Sequence, residues 1–237
     1  NKKFKIIDKR INKYIALNDF QKNMLVKAGL DESKIEIINN PLSINIFEIK
    51  KKQDKNFILY VGRVSEEKGV INLIKLISDL KKACKTVPEL VVIGGGVLKN
   101  EAESLAKKLD VNAKFCGNIE RNKISYYYSR CSFLVIPSLC FEGLPMTFIE
   151  GLYHGAPMAV SNLGAMKGLT EQYKLGVTFD PFNKEESIKQ LKKMCSNSEL
   201  RLSSSNNAFK ASSIFSQENF TKKLLNSYDL EVKKIHR

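Results

Sequence analysis

The chain has 237 residues, 43% of them hydrophobic, enough for one large or two small domains with a real core. Lys and Arg interrupt every apolar stretch well short of the length of a membrane span, which excludes a transmembrane helix by hydropathy. The net charge of +14 reads either as a solvated Lys-rich surface or as attraction to an anionic partner, a nucleotide or a lipid surface; Trp is absent and Lys far outnumbers Arg, so nucleic acid is set aside.

The chain opens on Asn rather than Met and shows no signal peptide, and we expect a piece of a longer or processed polypeptide. Residues 14–17 read as a short strand. Asn18 or Asp19 then caps a helix running through Ala28, with Gly29 ending it. A second strand follows at 35–38, closed by Asn39-Asn40-Pro41, and the polar run 50–56 reads as a linker. From there, apolar and β-branched runs at 57–61, 90–93, 113–116, 133–136, 158–160 and 177–179 alternate with helical patterns. Those patterns lie near 67–83, 98–109, 121–130, 145–154, 168–174 and 184–195. Strands that are apolar throughout, rather than alternating, belong to a parallel sheet covered on both faces. The fold class expected is therefore α/β, a Rossmann-like parallel sheet with helices on both faces. Ser203-Ser204-Ser205-Asn206-Asn207 falls in a helix or loop, and Ser216 caps a final helix with Glu218 in its first turn. The expected layout is 1–48, 49–215 and 216–237.

Side chains with few partners narrow the chemistry. The five cysteines (Cys84, Cys116, Cys131, Cys140 and Cys195) form no C-x-x-C pair and read as reduced, mostly buried thiols of a cytoplasmic protein. Only His154 and His236 are present, so a histidine-rich metal site is unavailable, and His154 reads as a satisfied structural residue. No D-x-D pattern offers a divalent ion a site. Lys50-Lys51-Lys52 and Lys233-Lys234 suit anionic lipid headgroups, although a solvated face is the simpler reading of each.

Three turns carry chemistry. Gly62-Arg63 and Lys68-Gly69 follow the first strand of the main sheet, where Gly62 admits a close ligand and two cations suit a diphosphate, although taken alone the segment reads first as a strand-to-helix turn with two surface cations. Gly94-Gly95-Gly96 follows the second strand. It lacks the third glycine of a dinucleotide fingerprint, because Lys99 stands there, and it reads chiefly as a turn. The stretch from Pro137 to Gly151 joins a strand to a helix and places Glu142 in the loop and Glu150 inside the helix. Gly143 and Pro145, the latter suited to the first helical position, shape the helix start. Helix amides attract an anion and the carboxylates accept sugar hydroxyls, which together suit a socket for a phosphorylated sugar; a pair of ordinary surface glutamates fits the same spacing.

Taken in order, G-R-x4-K-G, the glycine turn, Phe115-Cys116-Gly117-Asn118, Pro137-Ser138 and the paired glutamates resemble the donor-binding half of retaining GT-B glycosyltransferases of family four. The resemblance covers roughly residues 14–228. It implies that Arg63, Lys68 and Glu142 are catalytic, the first two on the diphosphate and Glu142 on the donor sugar. It also implies that Glu150 binds the ribose and that Asn118 and Ile119 touch the base. Gly62 would approach the phosphates, with Gly143, Leu144, Pro145, Met146 and Thr147 lining the sugar-phosphate. Residues 215–228 would be the segment that crosses back to the other domain. No cofactor or metal is implied, since the nucleotide-diphosphate sugar is itself the substrate. The acceptor, a sugar or lipid-linked molecule in cell-surface polysaccharide or glycolipid synthesis, would be held by a preceding domain. Residues 1–48 would be that domain's end and the hinge. The chain would then bind donor and transfer poorly by itself, in the cytoplasm or at the inner membrane face. It departs from the family pattern at Lys167-Gly168, where many members carry Pro-Glu, and at Gly151, which replaces a common Ala. Two other readings predict different ligands: NAD for a dinucleotide-binding dehydrogenase domain, and salt-sensitive binding to nucleic acid or membranes for a basic module.

Overall fold

The computed structural model describes residues 10–42 and 57–235. These divide by packing into two units, one holding 10–42 with 212–235 and the other 57–211. The expected linker at 50–56, with Lys50-Lys51-Lys52, and the end of the expected hinge lie outside the described residues.

The first unit opens with a parallel βαβ motif. Strand β1 (Tyr14–Ala16) leads into helix α1 (Asp19–Lys27), and a single 3-10 turn at Glu32–Lys34 leads into β2 (Ile35–Ile37), which pairs with β1. Asn18 is the cap: its Oδ1 accepts from the Gln21 amide at 2.9 Å, while the Gln21 side chain accepts from the Leu17 amide at 2.8 Å. Two-way capping of this kind fixes where the chain enters the helix. Ala16, Leu30 and Ile35 form a small core.

The second unit alternates strand and helix and ends on two consecutive helices: β3 (Phe57–Val61), α2 (Val70–Ala83), β4 (Glu89–Ile93), α3 (Lys99–Lys108), β5 (Ala113–Gly117), α4 (Arg121–Tyr128), β6 (Phe133–Ile136), α5 (Met146–Tyr153), β7 (Met158–Ser161), α6 (Ala165–Gln172), β8 (Gly176–Phe179), α7 (Lys184–Ser196) and α8 (Ser198–Ser212). All six strands are parallel, in the order β5-β4-β3-β6-β7-β8. Every residue of β6 and β7 is buried, as expected for strands with helices on both faces. Helix α2 buries Val70, Leu73, Ile74, Leu76, Ile77 and Leu80, the stripe that a 3.6-residue repeat places on one side.

Each expected strand is found, with its ends shifted by no more than one residue. The helices needed more correction. The pattern at 67–83 breaks at Gly69, which adopts φ 73°, so Glu66–Lys68 forms a separate 3-10 turn and α2 starts only at Val70. Helix α6 starts at Ala165 rather than 168. The serine-rich stretch lies within α8. Pro145 stands one place before α5, as its cap, rather than at the first helical position. All five cysteines are free, but only Cys131 is fully buried; the other four are half-buried.

The last helix, α9 (Gln217–Ile235), belongs to the first unit. Ser216 caps it, accepting from the Asn219 amide at 3.1 Å, and Phe215 offers its carbonyl to the Leu42 amide at 3.1 Å.

The strand order decides where a ligand can bind. The sheet is wound outward in both directions from β3 and β6, and parallel strands end on one edge. In open α/β sheets the crevice at such a reversal point, beyond the carboxyl ends, takes the ligand. Here the crevice lies between the loop leaving β3 and the loop leaving β6.

Candidate functional site

Those two loops carry the residues singled out in the sequence. Tyr60, Val61, Gly62 and Lys68 line one wall of a narrow cleft, and Pro137, Ser138, Glu142, Pro145 and Thr147 line the other. The break at Gly69 puts Lys68 in a turn rather than on a helix face, and from there its Nζ reaches Glu142 Oε1 at 2.5 Å. Ser138, buried at 1%, donates its hydroxyl to the same oxygen at 2.8 Å. Both bonds converge on Oε1. A carboxylate accepts at two oxygens, so Glu142 keeps acceptor capacity for a hydroxyl. Thr147, in the first turn of α5, donates to the Val61 carbonyl at 3.2 Å and ties the helix start to the end of β3.

Backbone packing holds the loops in register. The Leu139 amide donates to the Glu67 carbonyl at 2.8 Å, and the Ala165 amide to the Glu142 carbonyl at 3.2 Å. Gly164 has φ 69°, and a Cβ there would lie 2.4 Å from the Glu142 carbonyl oxygen, so only glycine lets the turn after β7 brace the Glu142 loop. Gly94 does the same between β4 and β3: its Cβ would lie 2.0 Å from the Gly62 carbonyl oxygen. The glycine triplet is thus a turn whose purpose is close packing against Gly62.

Arg63 stands apart from this pair. Its side chain is 73% exposed and meets Glu67 Oε1 at 3.1 Å, and the Ser65 hydroxyl donates to the same oxygen at 2.8 Å. Tyr60 donates to the Arg63 carbonyl at 2.6 Å and shapes that turn from below. Glu150, about one turn into α5, receives the Tyr128 hydroxyl on Oε2 at 2.8 Å.

Asn118 and Ile119 do not line the cleft. They follow β5, two strands away at the sheet edge, where the Gly117 carbonyl accepts from the Gly94 amide at 2.8 Å. A Cβ on Gly95 would come within 3.3 Å of Asn118 Oδ1, so these residues continue the rim of the site along β5, β4 and β3. Leu144 is buried and Met146 partly exposed at the start of α5.

In the sequence Ser138 stands out only as part of Pro137-Ser138, with no role of its own, and Tyr128 does not stand out at all. Ser138 was within reach of sequence reasoning, since it opens the loop that carries Glu142. Tyr128 is the last of three consecutive tyrosines, and nothing local distinguishes it; only the fold buries it, with its ring stacked on His154 at 5.3 Å. His154 is buried, but it is not the satisfied histidine expected: its Nδ1 has no hydrogen-bond partner. Burial pushes its pKa down to about 4, so the ring is neutral at physiological pH.

Two cations, a helix start and two carboxylates with spare acceptor capacity suit a polyhydroxylated anion. A family model described as "Glycosyl transferases group 1" matches residues 43–211. An uncharacterized glycosyltransferase of Haemophilus influenzae is 29% identical over 194 residues, covering 81% of this chain and 54% of the relative. A Campylobacter jejuni N-acetylgalactosaminyltransferase, named for a diphospho-undecaprenol substrate, is 27% identical over 78% of this chain and 51% of its own length. Among solved structures, a Staphylococcus aureus TarM variant in complex with fondaparinux, alpha-GlcNAc-glycerol and UDP superposes with a TM-score of 0.78 at 19% identity. It covers 95% of this chain and 46% of its own. At that identity the likeness concerns the fold, and it confirms the Rossmann-like, GT-B-type architecture. The chain spans about half the length of the relatives it matches.

Proposed function

Because the chain belongs to the glycosyl transferases group 1 family, we propose that its second unit binds a nucleoside diphosphate sugar and presents the sugar for transfer with retention of configuration. The observation that carries this reading is the meeting of Lys68, Ser138 and Glu142 at the reversal point of the sheet, at the start of α5. Lys68 and Arg63 take the diphosphate, with the first amides of α5 facing the same charge. Glu142 accepts from hydroxyls of the transferred sugar. Glu150 accepts from the ribose, and the rim at Asn118 and Ile119 takes the base. As the bond to the anomeric carbon breaks, negative charge grows on the leaving diphosphate. Fixed positive groups stabilise that charge more than they stabilise the ground state.

The undecaprenol-linked substrate in the name of the Campylobacter relative supports a role in building cell-surface glycans on a lipid carrier. UDP in the TarM complex supports a uridine nucleotide as the first ligand to try.

A thermal-shift series with UDP, GDP, ADP, NAD and the corresponding sugar conjugates tests the reading. A ligand at a hundred times its Kd adds about 2.7 kcal/mol, or roughly 5–10 °C for a chain of this size. One nucleoside diphosphate should give that shift and NAD should not. A response to NAD alone, or to no nucleotide at all, would overturn the assignment.

A further inference from the structure

Tyr128 lies at the end of α4, and Glu150 lies on α5, across the intervening strand β6. The ring of Tyr128 is 1% exposed and stacks on His154 with an interplanar angle of 9°. A buried hydroxyl needs a partner, and this one donates to Glu150 Oε2 at 2.8 Å. Burial, reinforced by the Glu150 carboxylate and opposed by the Thr147 hydroxyl, raises the phenol well above its ordinary pKa, so it remains a donor. The stack leaves the ring little freedom. The carboxylate it holds is therefore fixed in one rotamer, with Oε2 occupied and Oε1 clear of this bond.

We infer that Tyr128 is a positioning residue for nucleotide recognition: by holding Glu150 Oε2 it aims the other oxygen at the ribose diol, so that ribonucleotides are preferred to deoxyribonucleotides. The inference rests on the reading of Glu150 as the ribose ligand. A free glutamate side chain would have to be ordered each time a nucleotide bound, and Tyr128 removes that ordering step.

The test is a double-mutant cycle on the 237-residue chain, with Tyr128→Phe, Glu150→Ala and both together. Tyr128→Phe keeps the ring and its stack and removes only the hydroxyl. Binding of UDP, GDP and ADP is measured by calorimetry, each beside its 2′-deoxy form, and far-ultraviolet spectra confirm folding. The parent chain should prefer the ribonucleotide of the base it binds. Tyr128→Phe should shrink that preference about tenfold and leave deoxynucleotide binding nearly unchanged, with no further loss on the Glu150→Ala background. A parent chain without a ribose preference, or one whose preference survives Glu150→Ala, overturns the ribose reading and the inference with it. If Glu150→Ala removes the preference and Tyr128→Phe preserves it, the ribose reading stands and the role of Tyr128 fails. A purely structural tyrosine would lower stability and move both nucleotide forms equally.

Discussion

Lys68 and Glu142 hold each other at 2.5 Å with side chains only 22% and 13% exposed, and this changes how their roles can be separated. Truncating either to Ala would strand a charge in a poorly solvated cleft. Breaking a buried pair in that way typically costs about 3–5 kcal/mol, so lost binding could simply be lost folding. Lys68→Met and Glu142→Gln are the cleaner substitutions, because they keep the shape and the Ser138 hydroxyl keeps an acceptor. Lys68→Met should weaken nucleoside diphosphate binding by more than about tenfold, through loss of a charge-assisted contact. Glu142→Gln should leave the nucleoside diphosphate bound as well as before, or better, because Lys68 loses its competitor. It should also erase the extra affinity that the sugar adds. Calorimetry with the diphosphate and with its sugar conjugate separates the two effects. Equal losses for both ligands in Glu142→Gln would remove that residue from the sugar.

At the scale of elements, two glycines of one turn and helix behave oppositely. Gly168 is exposed in the middle of α6, has no neighbour within 4 Å of an added Cβ and has no positive φ. Gly168→Ala should therefore stabilise the chain by about 0.5–1 kcal/mol, a rise of roughly 1–4 °C in Tm, without touching nucleotide binding. Gly164→Ala has no such room, with a carbonyl 2.4 Å away and a left-handed φ, and should lower both Tm and nucleotide affinity by shifting the Glu142 loop. An unchanged affinity in Gly164→Ala would detach that turn from the site. The same contrast explains what the sequence could convey. Strands such as Phe57–Val61 and Phe133–Ile136 were legible because central parallel strands must be apolar on both faces. The loop carrying Glu142 was legible because a strand end, a Gly-Pro pair and a helix start adjoin in the chain. Helix α8 was not, because its buried stripe is Ser204, Ser205, Ala208 and Ala211, small residues that serve close packing, with Ser205 bonded to the Gly155 carbonyl at 2.5 Å. The bond from Tyr128 to Glu150 joins residues on different helices, and no local pattern encodes it.

At the scale of the molecule, the family match and the packing coincide: the model covers 43–211, and the complete six-stranded sheet lies in 57–211. The side chains gathered at the reversal point are Lys68, Ser138 and Glu142, and the diphosphate and sugar are the ligands proposed for them. A transfer reaction also needs an acceptor hydroxyl held in line with the anomeric carbon, and positioning of that kind supplies several powers of ten in rate. Among the described residues, the other unit contributes a two-stranded sheet and helices α1 and α9, with a small core of Ala16, Leu30 and Ile35. The relatives are about twice as long as the region they share with this chain. We therefore propose that donor binding and transfer are separable, and that the 237-residue chain does only the first. With the sugar nucleotide that gives the largest thermal shift, calorimetry should show saturable binding. Release of free nucleoside diphosphate, with lipid-linked acceptors from bacterial membranes present, should stay at the rate seen without protein. Sustained release accompanied by sugar on the acceptor would show that the acceptor site lies within these residues, and the division of labour proposed here would be wrong.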